Sequence, residues 1–333
     1  MTRYRVGIVG CGGIGSIHAA AYLSIEGVEL VACSDVNAAN LNAFSGKYGV
    51  ARKYSDYREM LESGGLDIVS VCTWPKTHCA VTVEAAKSGI RAIMCEKPLA
   101  VNLDEADRMI DICRKHGVNL AVGHEHRFDP QSVKAREMIE AGVIGNPKLL
   151  WGHCSLDLMN NGTHVIDLVN YLNMDAGAIW VMGQIDRRGK RFGAANHPDM
   201  FVEDMAIGHI KYDNGAEATI ELGEFAPQDY NFLVIGGKGQ IEVNAPEGPL
   251  KIVGENGTQY PELWRANPFN LEMSELIKAI EEGREHPSSG SRARATLEII
   301  MAIFESSRRR ALVELPLGVK ENPLEEMIKQ NMI

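Results

Sequence analysis

The sequence predicts an α/β protein of two domains, an N-terminal doubly wound parallel sheet and a C-terminal α+β domain with a mixed or antiparallel sheet. Three observations carry the prediction. In residues 1–123, short and wholly apolar runs alternate with segments of helical periodicity, as parallel strands covered on both faces require. From residue 124 to 333, strand-like runs come instead as hairpins with glycine-rich turns. A length of 333 residues also suits two domains better than one or four.

The elements follow in order. Arg5 to Val9 is an apolar run ended by glycines and reads as a buried strand. Ile14, Ile17, Ala21 and Ile25 recur at helical spacing, and Gly27 supplies a stop. Val28 to Ser34 is the second strand, and Asp56 with Glu59 caps a short helix through Leu61. Leu66 to Cys72 and Ile90 to Cys95 are further buried strands, with a helix from Thr77 to Ser88 between them. Asn102 caps a helix ending at His116 before Gly117, and the run from Val118 to Gly123 is another strand. Asp129-Pro130 then reads as an N-cap followed by proline at the first helical position, opening a helix to Ala141. Hairpins turn at Asn214-Gly215 and across Gly236 to Gly239, and helices follow near Asn270–Glu282 and Ser291–Arg310.

Charge and cysteine usage exclude several classes. With 34 basic against 44 acidic side chains, the net charge of −10 repels phosphate backbones, so no nucleic-acid partner is expected. The one tight basic run, Arg308-Arg309-Arg310, ends a helix and complements its dipole. Seven cysteines without a CxxC pair, several in apolar strands, argue against a disulfide framework and for a reducing cytoplasm. Val6 to Ile25 carries no charge, but its five glycines suit a strand–turn–helix rather than a membrane span, so no membrane partner is expected.

The chemistry begins at Gly10-Cys11-Gly12-Gly13-Ile14-Gly15, which fits G-x-G-x-x-G between the first strand and first helix. Gly10 permits the tight turn, Gly12 lets backbone approach a pyrophosphate, and Gly15 allows close helix–strand packing. Asp35, 20 residues past Gly15, ends the second strand, where a carboxylate can hold a ribose 2′-hydroxyl. No Arg or Lys lies between Leu30 and Gly46 to accept a 2′-phosphate, so NAD is favoured over NADP. Glu96-Lys97-Pro98 follows the fifth strand at the ligand-binding edge of the sheet, and a lysine confined beside a cationic nicotinamide suits proton transfer.

The glycine fingerprint, Asp35, Thr73-Trp74-Pro75-Lys76-Thr77-His78, Glu96-Lys97-Pro98 and the segment from Asn160 to Asp167 occur in that order. Together they resemble the Gfo/Idh/MocA family, of the glucose–fructose oxidoreductase and inositol 2-dehydrogenase type, over nearly the whole chain. The resemblance implies an N-terminal Rossmann domain, an open-sheet C-terminal domain and reversible hydride transfer at a sugar or polyol carbinol. It implies that Thr73, Trp74, His78, Glu96 and Lys97 join the glycine loop at the cofactor; Trp74 either packs on the nicotinamide or covers it. It places Lys97 and His164 at the substrate hydroxyl, and the segment of His126 and Arg127 at the domain junction, within reach of cofactor or substrate. His153, on the strand before the His164 helix, and Asn160, whose amide can hydrogen-bond a hydroxyl, are further candidate substrate contacts. Thr163 can cap a helix with Ile166, Val169 and Leu172 on its apolar side, which would set His164 in the first turn, where the dipole favours neutral imidazole. One position departs from the pattern: Asn160 stands where many relatives carry Asp, and an amide cannot accept a proton at neutral pH.

His124, His126 and His153 lack clear ligand spacing, so no metal is expected. The open sheet leaves an apolar face with no covering helix evident, which predicts a homodimer or homotetramer. Two alternatives to a dehydrogenase are a redox-neutral, NAD-dependent glycosidase and a non-catalytic NAD sensor. Retention of Lys97 and His164 argues against the sensor.

Overall fold

The computed structural model describes residues 4–189, 192–194, 197–223, 226, 229–255 and 257–333. The chain divides into two compact units, Met1–Glu125 with Ala266–Ala293, and His126–Arg265 with Arg294–Ile333.

The first unit contains β1 (Tyr4–Val9), α1 (Gly13–Leu23), β2 (Val28–Ser34), α2 (Ala38–Tyr48), β3 (Arg52–Tyr54) and α3 (Tyr57–Glu62). It continues through β4 (Ile68–Val71), α4 (Pro75–Lys87), β5 (Ala92–Cys95), α5 (Leu103–His116) and β6 (Asn119–Val122). The six strands are parallel in the order β3-β2-β1-β4-β5-β6, the doubly wound arrangement expected. The order reverses beside β1, so the loops after β1 and β4 open on the crevice where such sheets bind ligands. Local chemistry ends the helices as expected: Asn102 Oδ1 accepts from the Glu105 amide, and Gly117 terminates α5 at φ 67°.

The second unit holds α6 (Pro130–Glu140), β7 (Pro147–Cys154), α7 (Thr163–Leu172), β8 (Ala178–Asp186), β9 (Phe192–Ala194) and β10 (His197–Phe201). The strands β11 (Met205–Tyr212), β12 (Glu217–Gly223), β13 (Asn231–Gly236), β14 (Gly239–Ala245), β15 (Gly248–Gly254) and β16 (Gly257–Gln259) follow. Next along the chain come α8 (Pro268–Glu282), α9 (Gly290–Arg309), β17 (Val313–Glu314) and α10 (Pro323–Lys329). Among the described residues, nine strands form one mixed sheet, β16-β15-β14-β13-β7-β12-β11-β8-β17, in which only β7 and β12 pair in parallel. Both expected hairpins are present, and Gly215 takes the left-handed φ of 88° at the Asn-Gly turn. Helix α7 packs on β7 through Gly152, where an added Cβ would stand 3.0 Å from Val165 and Val169.

One helix does not follow the linear division of the chain. Met273, Leu276 and Ile277 of α8 join the core of Tyr4, Ile8, Ala19 and Tyr22, so α8 belongs to the first unit. No described helix is long and apolar enough to cross a membrane. All seven cysteines are buried, and none is joined in a disulfide.

Candidate active site

The loop after β1 is shaped by what its glycines leave out. At Gly10, φ is 96° and a Cβ would fall 2.4 Å from the Cys72 carbonyl oxygen; at Gly15 it would fall 2.1 Å from that of Gly10. Those two close approaches lock the turn against β4 and α1. At Gly12 and Gly13 a Cβ would meet nothing within 4 Å, so the backbone there is open to a ligand. Gly12, the N-cap of α1, supplies no capping side chain, so the first amides, including those of Gly13 and Ile14, face that opening. An anion at a helix N-terminus satisfies such donors, and the residues present fit a dinucleotide pyrophosphate. Asp35 is placed beside them: its Oδ2 accepts from the Cys11 amide at 2.8 Å and its Oδ1 from the Asn37 amide at 2.7 Å. Each oxygen retains a lone pair for a ribose hydroxyl.

Lys97 is half-buried at the end of β5, and the Lys97–Pro98 peptide is cis. Thr73 and Trp74 lie on the neighbouring loop; Trp74 is the N-cap of α4 and half exposed, open to a cofactor ring. Two expected cofactor contacts are corrected here. His78 is fully buried, with Nδ1 2.9 Å from the Pro98 carbonyl and Nε2 3.0 Å from that of Thr73. Burial lowers its pKa, favouring the neutral ring. It ties the two loops together from beneath instead of facing the cofactor. Glu96 is likewise buried, and its carboxylate points into the core at His18. Both side chains fall on the inward side of their segments, a distinction that motif spacing does not carry.

In the second unit, α7 does not begin where Thr163 suggested. A π-type turn over Leu158–Gly162 runs into it with Gly162 already helical, and the capping carboxylate is Asp157, which accepts from the Asn160 amide at 3.0 Å. His164 therefore sits beyond the first turn of a continuous helical segment, where the dipole's effect has faded. Such π-type turns are frequent at functional sites. Asn160 is buried in that turn.

His126 is brought against His164, ring centroids 4.9 Å apart and edge-on, and Tyr230 packs on both, at 4.5 and 5.8 Å. Asp129 is the N-cap residue of α6, with Pro130 first in the helix as expected, but its side chain makes no capping bond; the carboxylate lies 2.7 Å from His126 Nδ1 and orients that ring. Tyr230 was not legible in the sequence, because it follows no motif and reaches the histidines only through the sheet. Arg127 and His153 fall outside this group. Arg127 is buried in a bidentate pair with Asp167 (2.6 and 2.8 Å) and a contact to Asp175 (2.9 Å), anchoring α7. His153 alternates with Gly152, which faces α7, and so projects from the other side of the sheet, its ring 4.7 Å from Trp151. Burial lowers its pKa, with Glu221 opposing.

Comparison with known proteins agrees with this architecture. Residues 4–124 match the model of an oxidoreductase family's NAD-binding Rossmann fold, and residues 136–315 match that family's C-terminal alpha/beta domain. The chain is 28% identical over 345 residues to a myo-inositol 2-dehydrogenase of Thermotoga maritima, covering 93% of this chain and 98% of the relative. It is 26% identical over 347 residues to a scyllo-inositol 2-dehydrogenase (NAD(+)) of Bacillus subtilis, covering 94% and 96%. A solved levoglucosan dehydrogenase in complex with NADH and levoglucosan shares the fold, with TM-score 0.84 at 22% identity, covering 95% of this chain and 100% of that one.

Proposed function

The chain belongs to the GFO/IDH/MocA oxidoreductase family, and from that premise we propose that it transfers hydride reversibly between NAD and a secondary alcohol of a sugar, polyol or glycoside. The observation that carries the reading is the open cradle at Gly12 and Gly13 beside Asp35, within a fold whose relatives include inositol dehydrogenases. Bound NAD supplies the hydride acceptor at C4 of its nicotinamide. The chain's own residues do the rest. The amides opening α1 bind the pyrophosphate, and Asp35 takes the ribose hydroxyl.

Lys97 accepts the proton of the substrate hydroxyl as its carbon is oxidised. His164, steadied by His126 and Tyr230, hydrogen-bonds that hydroxyl and polarises it. Asn160 leaves no carboxylate at its own position, which concentrates the proton transfer on Lys97. A panel of inositols, sugars and glycosides scanned for NADH absorbance tests the reading. Lys97→Ala should lower kcat on the best substrate by about 10²–10⁴ with NAD still bound. Near-normal turnover in that variant refutes the assignment, and sugar release without NADH points to a redox-neutral glycosidase.

The same reading includes self-association. Leu149 and Trp151 on β7, Met182 on β8, and Met205 and Ile207 on β11 are exposed on one face of the nine-stranded sheet. An apolar face of that kind is normally covered by a second subunit. Sedimentation should give a species at least twice the 36.5 kDa chain mass, reduced to a monomer by Trp151→Asp with Met182→Asp. A wild-type monomer at micromolar concentration refutes it.

A further inference from the structure

Beneath the glycine loop lies a polar cluster that nucleotide binding does not use. His18, one turn after Gly15 on α1, is completely buried. Its Nδ1 lies 2.8 Å from Ser70 Oγ and 3.4 Å from Cys72 Sγ, both on or just after β4. Its Nε2 lies 2.8 Å from Glu96 Oε1, and the other carboxylate oxygen of Glu96 accepts the backbone N–H of Lys97 at 3.2 Å. Space for that carboxylate comes from Gly123, where a Cβ would stand 2.8 Å from Glu96 Oε1. Phe269 of α8 closes the cluster over the His18 ring at 6.3 Å between centroids. On the other side of the same turn, His78 holds the Pro98 carbonyl.

A buried ion pair adds little net stability over well-packed apolar side chains of equal volume, but it does fix one geometry. Here the geometry it fixes is the backbone that carries Lys97. Resting on the reading of Lys97 as the acid/base, we infer that His18 is a positioning residue: it holds the Glu96 carboxylate, which holds the Lys97 amide, so the helix that opens at the cofactor loop also sets the direction of the lysine. Charge supports the assignment. Burial alone would lower the His18 pKa, but Cys72 and Glu96 reverse that and hold it well above the ordinary imidazole value. Burial likewise works to raise Glu96, and the His18 hydrogen bond and charge overcome it and hold it low.

The test combines kinetics with a readout that needs no substrate. In His18→Gln, kcat should fall about 10- to 100-fold, as a reacting group displaced by about 1 Å implies, while NADH affinity measured by fluorescence stays within about 3-fold. Modification of Lys97 by an amine-reactive ester in the resting protein, followed by peptide mass spectrometry, should change in rate by at least about 3-fold. In a Lys97→Ala background, His18→Gln should cost no further turnover, because its effect passes through the lysine. Unchanged kcat and Lys97 reactivity in folded His18→Gln overturn the inference, as does an equal kcat loss in the Lys97→Ala background. Should His18→Gln fail to fold, Gly123→Ala displaces the same carboxylate and must give the same pattern. If Lys97→Ala itself turns over normally, the acid/base reading fails, and the labelling rate alone decides whether His18 positions the lysine.

Discussion

Arg127 was expected at the substrate, and the structure buries it, so replacing it separates two roles. Its side chain and that of Asp167 are each only 2% exposed, with guanidinium nitrogens 2.6 and 2.8 Å from the two carboxylate oxygens. Asp175 adds a contact at 2.9 Å from a side chain 19% exposed, and Thr296 Oγ1 donates to Asp167 at 3.3 Å. Burial works against the Arg127 charge, and Asp167 with Asp175 more than restores it. Arg127→Met would fill most of the volume but leave Asp167 buried without its counter-charge. Removing one partner of a buried pair costs about 3–5 kcal/mol. At about 2–4 °C per kcal/mol for a domain of this size, Tm should fall by roughly 6–20 °C. Differential scanning fluorimetry and urea denaturation measure the loss, and KM for the best substrate is read at a temperature where the variant is folded. Asp167→Asn should reproduce most of the fall, since Asp167 anchors α7 three residues after His164. A Tm within about 2 °C of wild type, together with a raised KM, would refute the structural role and return Arg127 to the substrate.

Two further outcomes follow from the first unit. Gly12→Ala places a methyl where nothing lies within 4 Å, so stability without cofactor should change by less than about 1 kcal/mol while NADH affinity falls at least about 10-fold; unchanged affinity by calorimetry would remove Gly12 from the pyrophosphate site. The His18–Glu96 pair gives a pH window. A carboxylate held low contributes stability above its unfolded value of about 4.3 and loses it as pH falls through the folded value; an imidazole held high contributes fully below about 6.5 and loses it as pH rises through its folded value. The Tm gap between wild type and His18→Gln should be widest between these limits and narrow from pH 6.5 to 9; a gap that widens over that range would contradict the pairing.

Much of the fold was legible because it is written locally. Alternating apolar runs and helical spacing specify the parallel sheet, Asn102 and Gly117 bound α5 through their own side chain and φ, and Gly215 supplies the left-handed φ of its hairpin turn. Elements with weak local patterns were harder to read: α2 buries only Leu41 and Phe44, and the three-residue β3 exists by pairing with β2. Where two readings were equally local, the structure chose. Asp129 holds the N-cap position of α6 but turns its carboxylate to His126, and Thr163 yields the start of its helix to Asp157 because the π-type turn extends the helix backwards.

The candidate site divides the same way. By itself the sequence determined the glycine cradle, Asp35 and the position of Lys97 at a strand end, because each depends on backbone geometry within a few residues. Tertiary structure alone decided which side of each segment faces inward. It turned His78 and Glu96 into the core, took Arg127 to Asp167 and Asp175, sent His153 to the far side of the sheet, and brought Tyr230 to His126 and His164. The physical reason is that a buried charge or ring must find its partner wherever the chain brings one, and those partners lie tens of residues away, as 78 residues separate His18 from Glu96.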